Sequence, residues 1–142
     1  MDDLYFSHVT TDQVDSWEDG LYQAAHEAYS RKVITALYLK DVVDMVIEEE
    51  GKLVLNDDTV LWHATPSEQV RKNYVGYIGV KQPFMYYGKP IKHAFVFGAQ
   101  TYKDHLSMLK WITQFVMDAS VNKKLYQEIP MEDYFETKRQ EA

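Results

Sequence analysis

From Leu39 to Ile47 the apolar residues Leu39, Val42, Val43, Val46 and Ile47 recur at i, i+3, i+4, i+7 and i+8, one stripe of an amphipathic helix. From Leu53 on, the pattern changes to short runs of β-branched and aromatic residues. That change of period constrains the fold most. A helix with one apolar stripe has to bury it against something, and here the partner on offer is a sheet. An earlier helix is marked by Ser16 as N-cap, acids at Glu18 and Asp19, and Leu21, Ala24, Ala25 and Ala28 at helical spacing. Val33-Ile34-Thr35 connects the two helices. Glu48-Glu49-Glu50 reads as a solvated helix end closed by Gly51 in a left-handed cap.

Leu53 to Leu55 and Thr59 to Trp62 read as short strands around an Asn56-Asp57-Asp58 turn, and Tyr74 to Val80 and His93 to Phe97 as longer ones. Pro83 and Tyr87-Gly88-Lys89-Pro90 read as turns between them. A strong helix starts at Asp104, with Leu106, Leu109, Ile112, Thr113, Phe115 and Val116 on its buried face. Asn122 to Leu125 is taken as a helical turn and Met131 to Arg139 as a terminal helix. The expected fold class is α/β: a three-layer sandwich with helices on both faces of a sheet. The 142 residues suit one domain, residues 1–142, with a core over about 16–125 and a C-terminal helix over about 131–139.

A net charge of −7 argues against nucleic acid or an anionic membrane surface as partner. No apolar run approaches the roughly 20 residues of a membrane helix. The acidic start, Met1-Asp2-Asp3-Leu4, is unlike a signal peptide, so a cytoplasmic protein is expected. With no cysteine there is neither a disulfide framework nor a thiolate metal site, and no metal or other cofactor is expected. No Gly-rich phosphate loop, Gly-x-Ser-x-Gly element or His-Glu-x-x-His spacing occurs. Any phosphate handled here would be held covalently or brought by a partner.

Two histidines carry the chemistry. His63 follows the run Val60-Leu61-Trp62 and precedes Ala64-Thr65-Pro66. His105 follows Phe97 and Gly98 at the start of the next helix. Both fall at strand ends or helix starts, the edge at which open α/β sheets handle ligands. An imidazole in the place of His63 can serve as metal ligand, general base or phosphoryl acceptor. Small Ala64 leaves the ring approachable. Thr65 offers a hydroxyl, and the loop offers N–H groups. Ser67-Glu68-Gln69 would open a short helix whose N-terminus favours an anion. Asp104 beside His105 would fix its tautomer or favour the helix dipole, and His105 near that dipole would stay neutral. His8 reads as part of a mobile N-terminal segment, His26 as solvated and His93 as a strand-edge residue. Tyr74, Tyr77, Tyr86 and Tyr87 read as strand packing or a partner surface.

These segments resemble the enzyme IIA domains of the bacterial phosphoenolpyruvate-dependent sugar phosphotransferase system, fructose–mannitol type, which includes ascorbate-type and nitrogen-related members. The resemblance runs from about Ser16 to about Leu125. Trp17-Glu18-Asp19-Gly20-Leu21 resembles the family's first helix. Val33-Ile34-Thr35 with Tyr38-Leu39-Lys40-Asp41-Val42-Val43 resembles the link into the second. Val60-Leu61-Trp62-His63-Ala64 resembles the phosphorylation motif, and Asp104-His105-Leu106-Ser107-Met108-Leu109 the second signature. Trp62 stands where the family usually has proline, Asp57-Asp58 where it has glycine, and the region of Ile47 lacks the arginine that some members carry.

The resemblance implies a mixed sheet of about five strands and a phosphoryl relay. His63 would be the phosphorylated nucleophile and His105 the residue stabilising the phosphoryl group, with Thr65 a hydrogen-bond donor and Trp62 a partner contact. HPr would be the phosphoryl donor and a sugar-specific enzyme IIB the acceptor, with no direct contact to sugar. The alternative is a regulatory module of the same fold that reports phosphorylation state to a transporter or transcription regulator. A further reading is a structural or interaction domain without a working site.

Overall fold

The computed structural model describes residues 1–119 and 125–142. The elements run β1 (Tyr5–Thr11), α1 (Trp17–Ser30), α2 (Ala36–Glu49), β2 (Val54–Leu55), β3 (Thr59–Trp62), β4 (Tyr74–Tyr86), β5 (Lys89–Gly98), α3 (Tyr102–Ala119) and α4 (Glu128–Glu141). The strands form one mixed sheet in the order β1-β4-β5-β3-β2. β1 runs parallel to β4 and β3 parallel to β5, while the β4–β5 and β2–β3 pairs are antiparallel. Helices cover both faces, which is the expected three-layer arrangement.

Two cores result. One joins Leu21, Ala24, Ala25 and Ala28 of α1 and Val42 and Val46 of α2 to Val60, Trp62, Ile78 and Val96 of the sheet. The other joins Leu61, Val75, Tyr77, Phe95 and Phe97 to Met108, Trp111, Ile112 and Val116 of α3 and Met131 and Phe135 of α4. Strand alternation sorts the residues: Val60 and Trp62 point to the α1–α2 side, and Leu61 between them points to the α3–α4 side. The small residues of α1 let it approach closely. A Cβ on Gly76 would sit 2.5 Å from the Ala24 carbonyl, so β4 needs glycine where the helix crosses it.

Ser16 caps α1 as expected, its hydroxyl accepting from the Asp19 N–H at 3.1 Å. Thr35 caps α2 in the same way. Several expectations need correction. The N-terminal segment holding His8 is not mobile but forms β1, paired residue by residue with Tyr74 to Val80. Its polar composition suits an edge strand and hides it from a hydrophobicity reading. Pro83 lies inside β4, at a register irregularity between Gly79 and Phe84, where a residue without an N–H is tolerated. The turn itself is Tyr87-Gly88, both at positive φ (49° and 83°), the hairpin geometry that matches strand twist.

The left-handed cap of α2 is Glu50 (φ 53°), with Gly51 also at positive φ. Ile47 and Leu106, expected on buried faces, are 55% and 48% exposed. The buried line of α3 is instead His105, Met108 and Ile112, one row at i, i+3 and i+7. The expected turn at Asn122 to Leu125 lies, apart from Leu125, outside the described residues.

Candidate active site

β3 ends at Trp62, which pairs with Val96 of the parallel β5. His63 is the next residue, and continued alternation sends its ring to the α3–α4 side. There it meets Phe97, ring centroids 5.0 Å apart. Thr101 starts α3: its hydroxyl accepts from the Asp104 N–H at 3.1 Å and its carbonyl from the His105 N–H at 2.9 Å. His105 therefore lies on the first turn, on the sheet-facing side, 5.2 Å from the Phe97 ring. The two imidazoles face each other at 5.0 Å between centroids and 73° between planes. Tyr102 stacks on the outer side of His105 at 6.1 Å and 7°.

Both histidines are kept neutral. Burial lowers the His63 pKa to about 4, helped by its neighbour His105 and opposed by the Ala64 backbone. Burial also lowers that of His105. Nδ1 of each ring is enclosed without a hydrogen-bond partner among the described residues. His63 as a whole is half-buried, so its imidazole keeps some access to solvent. The Asp104 carboxylate accepts from the Asn73 amide at 2.9 Å, and the enclosed Nδ1 of His105 has no partner among the described residues. Asn73 also accepts from the Gln100 N–H at 2.7 Å and so ties the start of β4 to the approach to α3.

The loop after His63 differs from expectation. Ser67 to Gln69 forms a turn, not a helix, closed by Val70 N–H to Ser67 carbonyl at 3.1 Å, so no helix dipole acts there. The Ala64 N–H is already used, donating to the Tyr38 hydroxyl at 3.2 Å. Thr65 is exposed and lines a cavity of about 310 Å³ with Asp41, Asp44, Met45, Glu48 and Ser67. No Lys or Arg among the described residues lines that cavity. Lys40 nearby is held by Asp44 at 2.9 Å.

Trp62 is not a partner contact. Its ring is 1% exposed and packs among Trp17, Phe84 and Tyr86. Sitting one residue before His63 puts it on the opposite face of the sheet. The exposed apolar side chains beside the imidazoles are instead Tyr102 (69% exposed) and Leu106 (48%). His26 is exposed as expected. His93 is not at a strand edge but buried in the middle of β5, 1% exposed. Phe97 and Tyr38 were not singled out as site residues from the sequence. Phe97 closes a run of alternating aromatics that points its ring to the His63 side. For Tyr38 no sequence signal shows that its hydroxyl crosses to another strand.

The structure thus presents an open α/β domain with two facing imidazoles at the strand ends. The chain belongs to the family described as phosphoenolpyruvate-dependent sugar phosphotransferase system, EIIA 2, whose model matches residues 6–133, and members of that family serve in phosphotransfer. No curated protein sequence matches it. Among solved structures it is similar to the mannitol enzyme IIA of Escherichia coli, with 13% identity, 92% of this chain and 94% of that one covered, and a TM-score of 0.68. It is similar to nitrogen regulatory protein IIA-Ntr of Neisseria meningitidis, with 14% identity, 96% and 94% covered, and a TM-score of 0.64. It is also similar to the mannitol IIA in the complex with phosphorylated mannitol IIB from Escherichia coli, with 9% identity, 94% of each chain covered, and a TM-score of 0.59. At these identities the likeness is one of fold.

Proposed function

We propose that this protein is a single-domain phosphoryl relay of the sugar phosphotransferase system, taking a phosphoryl group from phospho-HPr onto His63 and passing it to a sugar-specific enzyme IIB. The observation that carries the reading is the facing pair of neutral imidazoles, 5.0 Å apart, one of them partly open to solvent. In the first step the Nε2 lone pair of His63 attacks phosphorus. The P–N bond to the donor's imidazole breaks, and its electron pair returns to that ring. The second step repeats this in reverse sense onto the acceptor. No proton is consumed, so positioning and charge stabilisation supply the catalysis. His105 donates a hydrogen bond to a phosphoryl oxygen from its own Nε2, and the Thr65 hydroxyl gives a second. The similarity to a mannitol IIA solved with phosphorylated IIB supports the acceptor. Such a relay works in the cytoplasm, where phosphoenolpyruvate is made.

The test mixes the protein with phosphoenolpyruvate, enzyme I and HPr. The expected result is acid-labile label on the parent and none on His63→Ala. Label retained by His63→Ala, or none on the parent, removes the relay. Passage of the label to an enzyme IIB separates the transport role from the regulatory alternative, in which it stays on this protein.

A further inference from the structure

Tyr38 is fully buried on the first turn of α2, in the helical layer opposite α3. Its hydroxyl donates to the Phe97 carbonyl at 2.8 Å and accepts from the Ala64 N–H at 3.2 Å. A hydroxyl has one proton, so this assignment is unique: the N–H must give and the carbonyl must receive. Both partners belong to the site. The Ala64 N–H is part of the planar peptide unit that starts at the His63 carbonyl, so holding it fixes the backbone torsion that aims the His63 side chain. The Phe97 ring lies 5.0 Å from His63 and 5.2 Å from His105 and spaces the two. Packing alone does not require this oxygen, since phenylalanine would fill the same volume. Tyr74, equally buried, has a hydroxyl with no hydrogen-bond partner among the described residues.

We propose that the Tyr38 hydroxyl is a positioning group for His63, bracing the peptide that follows the nucleophile against the residue that spaces the imidazole pair. The role rests on the relay reading above. The hydroxyl reaches the backbone of two neighbouring strand ends at once, that of β5 at Phe97 and that just after β3 at Ala64. The phenol stays protonated at all ordinary pH because burial pushes its pKa well up.

The experiment compares Tyr38→Phe with Val42→Ala, a buried residue one turn further along α2 that makes none of these hydrogen bonds. Single-turnover labelling by phospho-HPr should be at least tenfold slower in Tyr38→Phe, with the donor concentration for half-maximal rate unchanged. The ring-nitrogen resonances of His63 should shift in the free protein. Val42→Ala should lower the melting temperature and keep the parental rate and resonances. A parental rate with unmoved resonances in Tyr38→Phe overturns the proposal, and so does equal slowing in Val42→Ala. If the parent itself takes no label, the relay reading falls separately. The His63 resonances of Tyr38→Phe then decide the brace alone: moved, it stands; unmoved, it is overturned.

Discussion

The α3–α4 face of the sheet carries a histidine at each end, His93 buried and His63 half-buried, and desolvation holds both at a pKa of about 4. At the β3 start, His93 is complete. Its Nδ1 meets the Tyr77 hydroxyl at 2.8 Å, and its ring stacks on Tyr126 at 4.3 Å and 13°. Tyr77 in turn accepts from the Tyr126 N–H at 3.2 Å, and His8 on β1 donates to the Tyr126 carbonyl at 2.7 Å. At the β3 end, His63 has an enclosed nitrogen without a partner among the described residues and faces a second imidazole. A depressed pKa is therefore no mark of a reacting group here. Unmet hydrogen-bonding capacity is no mark alone either, since the core Trp62 indole and Tyr74 hydroxyl share it; combined with access to solvent it sets His63 apart.

The contrast breaks most easily by truncation. His93→Ala should destabilise by about 3 kcal/mol or more, since it removes a fully buried ring together with its hydrogen bond. Its labelling rate, measured well below its melting temperature, should match the parent. His63→Ala should do the opposite, abolishing labelling while changing stability by about 1 kcal/mol or less. Urea denaturation curves and phosphorylation assays on the two variants decide it. Equal stability losses would show that both histidines are structural.

Acid titration comes next in size. An imidazole at about 4 in the fold and at the ordinary 6.5 when unfolded takes up its proton in the unfolded chain first. Stability is then full above about pH 6.5 and declines as pH falls towards 4, by about 3 kcal/mol for each such histidine. Around His93 the nearby Asp58 carboxylate works against the shift and Lys92 works with it. His93→Gln should flatten the pH dependence over this window. An unchanged slope would mean that His93 does not titrate as its burial implies.

How far the sequence reveals this molecule follows from where the information lies. The α2 stripe and the strand blocks show the layers because period encodes facing. The β1 strand escapes because edge strands need few apolar residues, and Pro83 misleads because a bulge absorbs the missing N–H. His63 and His105 are legible as chemistry-bearing residues at element ends. Their 5.0 Å approach is not, since it depends on β3 and β5 lying side by side with a long crossover between them. Trp62 shows the limit most clearly. Its adjacency to His63 in sequence suggests adjacency in space, whereas the pleat sends neighbouring side chains to opposite faces. The same rule, applied to Val60-Leu61-Trp62-His63, would have placed it in the core.

The smallest effect tests the open end of the comparison from the other side of the loop. Thr65 is exposed, and among the described residues no hydrogen bond holds its side chain. Thr65→Ala should therefore leave stability within about 0.5 kcal/mol of the parent. On the proposed relay its hydroxyl enters only when a phosphoryl group arrives, and the wall beside it carries Asp41, Asp44 and Glu48 with no cation among the described lining residues. A neutral donor in such a field offsets little charge, so the expected loss in labelling rate is a few-fold, about 1 kcal/mol in the barrier. Adding Asp41→Asn to Thr65→Ala should recover part of that rate by weakening the repulsion. A double variant slower than Thr65→Ala alone would mean that the carboxylates assist transfer, and the electrostatic reading of this wall would have to be reversed.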